Sequence, residues 1–400
     1  MIPRTLTGRL QDLARQYPVV TVSGPRQSGK TTLVRSTFTE HDYASLEEPD
    51  LRSFALEDPR GFLDRYDTGA GVILDEIQRT PELFSYLQGR VDQDDRPGRY
   101  VLTGSQNFLL LDSVSQSLAG RTAILSLLPL SLSELEGRLP LEPQSLGEEL
   151  PSNDRTSRFD LFELLWTGGY PRIHDRALEP TTWLESYFRT YVERDVRQLT
   201  NVGDLETFGR FVRLCAGRTG QLLNLSSLAN DAGVTHSTAR RWISILEASF
   251  VVKLLGPHHE SFNKRLTKSP KLYFLDSGLL CYLLGIRAPA ELEIHASRGN
   301  VFESFVVSEL WKASFHRGRE PELTFWRDSA GHEIDIVSGE GPRRVAIEVK
   351  SGKTYASDFI KGLRFWRESL AGEDARVTLI TGGDESFRRS NVPVLSWRVL

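Results

Sequence analysis

The sequence predicts an α/β protein built on a largely parallel sheet and divided into more than one domain. Three observations predict it. Short apolar runs rich in β-branched residues occur at 18–23 (PVVTVS), 70–75 (AGVILD) and 99–104 (RYVLTG), with helical stretches between them. That alternation covers both faces of a parallel sheet with helices. The chain is also 400 residues long, more than one core usually holds.

The elements follow in order. Residues 18–23 read as a buried strand and run into a glycine-rich turn, and a helix extends from Thr31 to about Phe38. The runs at 70–75 and 99–104 give two further strands, and 123–128 (AILSLL) gives another. From about Glu136 to Arg158 the chain is rich in Pro, Gly, Ser, Asn and Glu and lacks periodicity, which reads as an exposed loop. Helical pattern then dominates from Phe159 to about Ala248, including the amphipathic run TTWLESYFRTYVERDVRQL. Alternation returns near Phe250–Leu255 and Leu272–Asp276. The segment 298–400 reads helix, strand, strand, helix, strand.

Composition narrows the function classes. With a net charge of −4, no basic surface dominates, which argues against coating nucleic acid along a whole face and leaves room for a local basic patch. The two cysteines, Cys215 and Cys281, are far apart and lack ligand spacing. Neither a zinc site nor a disulfide framework is expected, and a reducing compartment fits. The start MIPRTLTGRL lacks the apolar core of a signal peptide and no run is long enough to span a membrane, so the expectation is a cytoplasmic protein that uses no membrane.

The octapeptide GPRQSGKT matches the phosphate-loop pattern G-x-x-x-x-G-K-[ST], with a strand before it and a helix after. Gly24 and Gly29 let consecutive N–H groups converge on a phosphate at a helix N-terminus. Lys30 brings positive charge to the β- and γ-phosphates, and the Thr31 hydroxyl suits magnesium. The ATP-binding set is therefore Gly24, Pro25, Arg26, Gln27, Ser28, Gly29, Lys30, Thr31 and the adjoining Thr32. In VILDEIQ, Asp75 ends an apolar strand where it would hold magnesium, and Glu76 follows as the general base for an attacking water. A buried structural acidic pair is the plain alternative. Ser105 or Asn107 in LTGSQN would sense the γ-phosphate, or form an ordinary polar turn. Arg121 in LAGRT is either an arginine finger for a neighbouring subunit or a solvated arginine.

Two carboxy-terminal strands carry a second pattern. Glu303 lies on a largely apolar helix face in RGNVFESFVVSEL, and Asp335 falls within the strand GHEIDIV. Thirteen residues later, Glu348 and Lys350 in AIEVKSG share one side of a strand, since side chains alternate with period two. Burying three carboxylates without a cation or partner would be costly. A structural Glu–Lys pair is the alternative. In the middle segment, LSSLANDAGVTHSTARRWISILEASFVVKLL has helix-turn-helix spacing with the turn at Gly233. Thr238, Arg240 and Arg241 lie on the exposed side of its second helix, suited to DNA or to a protein-interaction role.

The amino-terminal motifs resemble those of the AAA+ ATPases, and more narrowly the branch containing the origin-recognition and STAND-type ATPases. GGYPR, Gly168 to Arg172, matches the G-x-P element by which the lid of such proteins meets the nucleotide. The resemblance thereby adds Pro171 to the ATP-binding set and Arg172 to the sensor or finger candidates. Arg4 lies where that branch often carries an adenine-side arginine. The carboxy-terminal pattern resembles the PD-(D/E)XK nuclease fold, with Asp335, Glu348 and Lys350 at its D…ExK positions and Glu303 at its helical acidic position. In that fold the carboxylates bind magnesium and the lysine positions or activates water.

End to end, GPRQSGKTTL, LDEIQ, LTGSQ, LAGR, GGYP, YVERDV, YFLDSGL, RGNVFESFV and IEVKSG fall in the order of a prokaryotic family of AAA+ ATPases with a C-terminal domain of unknown function. The resemblance implies a P-loop AAA+ domain over 1–135, a linker and helical lid over 136–200, a winged helix over 201–295 and a restriction-endonuclease-like α/β domain over 296–400. It implies ATP and Mg2+ as cofactors. The leading expectation is an ATP-driven DNA-processing homo-oligomer, with arginine fingers in trans, that binds or cleaves branched DNA. The rival is a STAND-type nucleotide switch whose C-terminal domain is a platform for a protein partner.

Overall fold

A computed structural model describes residues 2–66, 69–105, 117–139, 142–148, 150, 157–191, 205–258, 269–339, 344–368, 372 and 375–400. The chain divides into two compact units. The first comprises Met1–Leu130, Ala248–Phe250 and Phe315–Arg319, and the second the remainder.

The first unit runs α1 (Leu6–Ala14), β1 (Val19–Ser23), α2 (Lys30–Thr37), β2 (Asp42–Ser45), α3 (Pro49–Glu57), α4 (Pro59–Tyr66), β3 (Val72–Asp75), α5 (Leu83–Gln93), β4 (Tyr100–Gly104) and β5 (Thr122–Ser126). All five strands are parallel, in the order β2-β3-β4-β1-β5. Strands β1, β3 and β4 are buried on both faces, which is why they read as continuous apolar runs. Val20, Val22, Ile73 and Val101 pack with Leu10, Leu33 and Val34 on one side. Val19, Leu74 and Leu102 pack with Phe62, Phe84 and Leu87 on the other. Because the strands are parallel and adjacent, the segments leaving β1, β3 and β4 emerge at one edge, where open α/β sheets place their ligands. The sequence reading misses β2, whose residues DYAS lack an apolar run.

The second unit begins with α6 (Leu132–Leu135), α7 (Leu161–Thr167), α8 (Pro171–Arg176), α9 (Pro180–Tyr191) and α10 (Leu205–Ala216). It continues with α11 (Leu225–Ala232), α12 (His236–Ala248), β6 (Val252–Leu255), β7 (Lys271–Phe274), α13 (Ser277–Leu283) and α14 (Pro289–Ile294). Asn224 caps α11 by accepting the Ser227 N–H at 3.0 Å. Gly233, at φ 73°, ends it in the left-handed conformation that suits glycine. Trp242 on α12 packs edge-on against Phe208 and Phe211 of α10. Strands β6 and β7 are antiparallel.

The carboxy-terminal part adds α15 (Arg298–Phe315), β8 (Leu323–Arg327), β9 (Glu333–Ser338), β10 (Val345–Lys350), α16 (Lys361–Trp366), β11 (Arg376–Thr381), β12 (Phe387–Arg389) and β13 (Val392–Ser396). Its mixed sheet has the order β12-β13-β11-β10-β9-β8, three strands more than the expected helix–strand–strand–helix–strand. Leu323–Arg327 pairs antiparallel with β9 across a bulge between Thr324 and Trp326, and a short run with such an irregularity carries little period-two signal. Both cysteines are fully buried, Cys215 on α10 and Cys281 on α13. Among the described residues, no helix is long and apolar enough to cross a membrane.

Candidate nucleotide site and carboxylate cluster

The loop between β1 and α2 is a tight cradle. Gly24 has φ 150°, and a Cβ there would stand 2.1 Å from the Leu127 carbonyl oxygen, so any other residue would force the backbone apart. Gly29 (φ 93°) is the left-handed N-cap of α2, and Gln27 (φ 62°) also has a positive φ. The buried Lys30 donates from Nζ to the carbonyls of Gly24 (2.9 Å) and Pro25 (2.8 Å). Ser28 is fully buried, and its Oγ has no hydrogen-bond partner among the described residues. Arg4 binds the loop from behind, donating to the carbonyls of Ser28 and Leu128, both at 2.7 Å. Arg26 is half-buried, and Thr32, on the first turn of α2, is exposed.

Asp75, at the carboxyl end of β3, accepts hydrogen bonds from three hydroxyls. Thr31 Oγ1 lies 3.1 and 3.0 Å from its two oxygens, Tyr43 donates at 2.9 Å from β2, and Thr103 donates from β4. Glu76 stands in the left-handed region (φ 57°), a conformation uncommon for non-glycine residues and enriched at functional sites. Its Oε2 accepts from Gln78 Nε2 at 2.6 Å and from Ser105 Oγ at 2.9 Å. An unpartnered hydroxyl in the loop, a lysine turned onto backbone carbonyls and a carboxylate beside Thr31 fit a magnesium–nucleotide phosphate tail. The residues that would hold it are Gly24–Thr31 and Asp75. Sequence reasoning misses Tyr43, Thr103 and Gln78, though Thr103 lies within the LTGSQN motif itself.

The remaining predicted residues lie as follows. Arg121 is half-exposed and donates from Nε to Asp92 of α5 at 2.6 Å. Pro171 and Arg172 open α8 in the second unit, with Arg172 exposed. The preceding Gly169 donates its N–H to Asp276 at 2.8 Å. Arg240 and Arg241 are exposed on α12, while Thr238 is half-buried, its hydroxyl 2.9 Å from that of Thr235. Asn107 and most of YVERDV lie outside the described residues.

In the second unit, the structure does bring Glu303, Asp335, Glu348 and Lys350 together. Lys350 Nζ is 2.9 Å from Glu348 Oε2 and 3.5 Å from Asp335 Oδ2, and that Asp335 oxygen also accepts the Val349 N–H at 2.9 Å. A second lysine, absent from the sequence reading, joins them. Lys271 of β7 is paired with Glu333 and stands 3.6 Å from Glu303 Oε1 and 4.0 Å from Asp335 Oδ1. Tyr273, two residues along the same strand, donates to Glu303 Oε1 at 2.6 Å. Burial, then the like charge of Asp335, pushes Glu303 up to about 7. The same two causes raise Glu348 well above the usual carboxylate range. Burial opposes the charge on both lysines, yet the surrounding carboxylates hold both above the ordinary lysine value.

Magnesium ligation by Glu303, Asp335 and Glu348, which the nuclease resemblance implies, does not fit this arrangement. Ammonium charge already stands against all three carboxylates, Lys350 beside Glu348 and Asp335 and Lys271 beside Glu303 and Asp335. Among the described residues, no group of three or more His, Cys, Asp and Glu side chains is placed to hold one.

A five-stranded parallel sheet with a glycine-rich cradle after its first strand and an Asp–Glu pair after its third defines an AAA-type P-loop ATPase domain. A family model described as an AAA domain matches residues 16–136. Two models described as domains of unknown function match 158–290 (DUF8612) and 298–400 (DUF4143). An uncharacterized protein of Mycobacterium tuberculosis is 31% identical over 396 residues, covering 98% of this chain and 82% of that one. The chain belongs to the family of that protein; in this chain an AAA domain precedes two domains of unknown function. An uncharacterized protein of Haemophilus influenzae is 24% identical over 223 residues, covering 54% of this chain and 51% of its own. Among solved structures, a Walker-type ATPase of Pyrococcus abyssi is similar at 15% identity and a TM-score of 0.43, covering 71% of this chain and 96% of that one.

Proposed function

We propose that this protein is a magnesium-dependent ATP hydrolase whose nucleotide cycle is coupled to DNA held at the α11–α12 segment, with a carboxy-terminal domain that does not cut. The observation that carries the hydrolase reading is the placement of Glu76, held by Ser105 and Gln78 one residue beyond Asp75. Lys30 exchanges the Gly24 and Pro25 carbonyls for phosphate oxygens. Thr31 and Asp75 would hold a magnesium ion, which would supply charge neutralisation at the phosphates. Glu76 takes the proton of the water as its oxygen attacks the γ-phosphorus and the bond to the ADP oxygen breaks. Ser105, bonded to Glu76, reports whether the γ-phosphate is present.

Arg240 and Arg241 support the DNA part. They are exposed in the second turn of α12, the helix that a helix-turn-helix presents to phosphates and base edges. The test is ATP turnover of the full chain with single-stranded, duplex and four-way-junction DNA. Glu76→Gln is expected to lower turnover by about 10²–10⁴-fold while nucleotide still binds. DNA is expected to raise wild-type turnover, and Arg240→Ala with Arg241→Ala to remove that rise without changing the basal rate. Full turnover in Glu76→Gln would sink the hydrolase assignment, and indifference to every DNA would sink the coupling.

A second reading, the nucleotide switch with a protein partner, is favoured by the net charge of −4, which leaves no dominant basic surface for nucleic acid. It expects nucleotide to stay bound through purification and turnover to ignore nucleic acid.

A further inference from the structure

Lys271 lies among the carboxylates. It is 3% exposed, and its ammonium faces Glu303, Glu333 and Asp335 together. One oxygen of each neighbouring carboxylate already has a donor. Tyr273 donates a hydrogen bond to Glu303 Oε1, the Val349 N–H and Lys350 face Asp335 Oδ2, and Lys350 reaches Glu348 Oε2. The backbone of Gly362 approaches Glu348 Oε1 so closely that a Cβ there would stand 2.6 Å away. Arg327 meets the other oxygen of Glu333 at 3.3 Å.

A hard divalent cation draws oxygen ligands to about 2.0–2.6 Å. An ammonium holds them further out and repels a second cation by its own charge. Carboxylates arranged around Lys271 are therefore not also arranged around a metal. Nor is Lys271 a loose surface group that a metal could easily displace, because the strand that carries it is fixed. Leu255 pairs with it across β6–β7, Leu222 bridges to it, and its ammonium also stands 5.5 Å over the Phe325 ring of β8. Next to this, Phe325 exchanges backbone hydrogen bonds with Gly256 (3.0 Å) and His258 (2.6 Å).

We infer that Lys271 is the resident cation of this cluster. Its ammonium, delivered by β7, stands where a divalent metal would stand, keeps the acidic side chains metal-free and clamps β7 to the carboxy-terminal sheet. The inference does not depend on what the nucleotide site does.

The test titrates Mn2+ into the nucleotide-free full chain, read by the electron paramagnetic resonance of free Mn2+ and by the melting temperature. Wild type and Asp335→Asn are expected to respond alike, because Asp335 is not a ligand in the wild-type protein. Lys271→Met is expected to gain a Mn2+ site at least ten-fold tighter than anything in wild type, with a rise in melting temperature on adding Mn2+. Adding Asp335→Asn to Lys271→Met is expected to remove that site, while Lys271→Arg keeps wild-type behaviour. An Asp335-dependent Mn2+ site in wild type as tight as that of Lys271→Met overturns the inference, as does a folded Lys271→Met that gains none. Should Lys271→Met not fold even with Mn2+, the comparison of wild type with Asp335→Asn decides alone: a difference in Mn2+ response overturns the inference, and equal responses uphold it.

Discussion

Asp75 accepts hydroxyl hydrogen bonds from three elements, and one of those donors offers a direct reading of the arrangement. Tyr43 reaches Asp75 from β2, with the Arg35 guanidinium 4.5 Å from its ring centre. Burial, then the charge of Asp75, pushes the Tyr43 hydroxyl up to about 12 from its ordinary 10.0. The folded protein thus holds this proton more tightly than the unfolded chain does. The stability it contributes is complete below pH 10 and is lost as pH rises through about 12. Urea midpoints measured across that window should fall more steeply for wild type than for Tyr43→Phe. Parallel profiles would mean that Asp75 does not hold the hydroxyl. Tyr43 is illegible in sequence because only the pairing of β2 with β3 brings it to Asp75, whereas Gly24, Lys30 and Thr31 are legible because their chemistry is local to one loop.

Among the elements, the GGYPR segment shows how a motif can serve two purposes. Asp276 is 3% exposed; it caps α13 by accepting the Leu279 N–H at 2.8 Å, and its other oxygen accepts the Gly169 N–H at 2.8 Å. A Cβ on Gly168 would stand 2.4 Å from that carboxylate, and one on Gly278 would stand 2.6 Å from the Thr167 carbonyl oxygen. The glycines are therefore needed for the close approach of α7 and α13, whatever else the segment meets. A hydrogen bond to a charged group contributes about 1.5–3 kcal/mol, so Asp276→Ala should cost about 3 kcal/mol or more in urea unfolding. A loss below about 1 kcal/mol would remove Asp276 from this role. The pattern is legible at Gly168–Arg172, but its partner, 107 residues away, is not. Lys271 is a similar case: KLYF reads as a plain strand, and only the alternation of Lys271 and Tyr273 on one face hints at polar neighbours.

For the whole molecule, the chain order is not the order of the units. Residues 315–319 belong with the amino-terminal unit. There the buried His316 accepts the Leu128 N–H at Nε2 (3.2 Å), and Gly318 lies so close to Arg9 and Leu125 that a Cβ would come within 2.8 Å of both. No local signal announces such a return, since the hydrogen-bonded residues are 188 positions apart. His316→Ala leaves a buried N–H unpaired, at a cost of about 1–3 kcal/mol, and calorimetry should show the unfolding of the ATPase unit at lower temperature. An unchanged transition would mean that the segment is dispensable to it. The two cysteines carry a different consequence. Both lie in the second unit, fully buried, with their thiols pushed up by burial, so neither meets a thiol reagent while that unit is closed. A cysteine placed anywhere on the surface can therefore carry a fluorophore or spin label alone. The slow reaction of the native pair then clocks the opening of the second unit and is blind to the first.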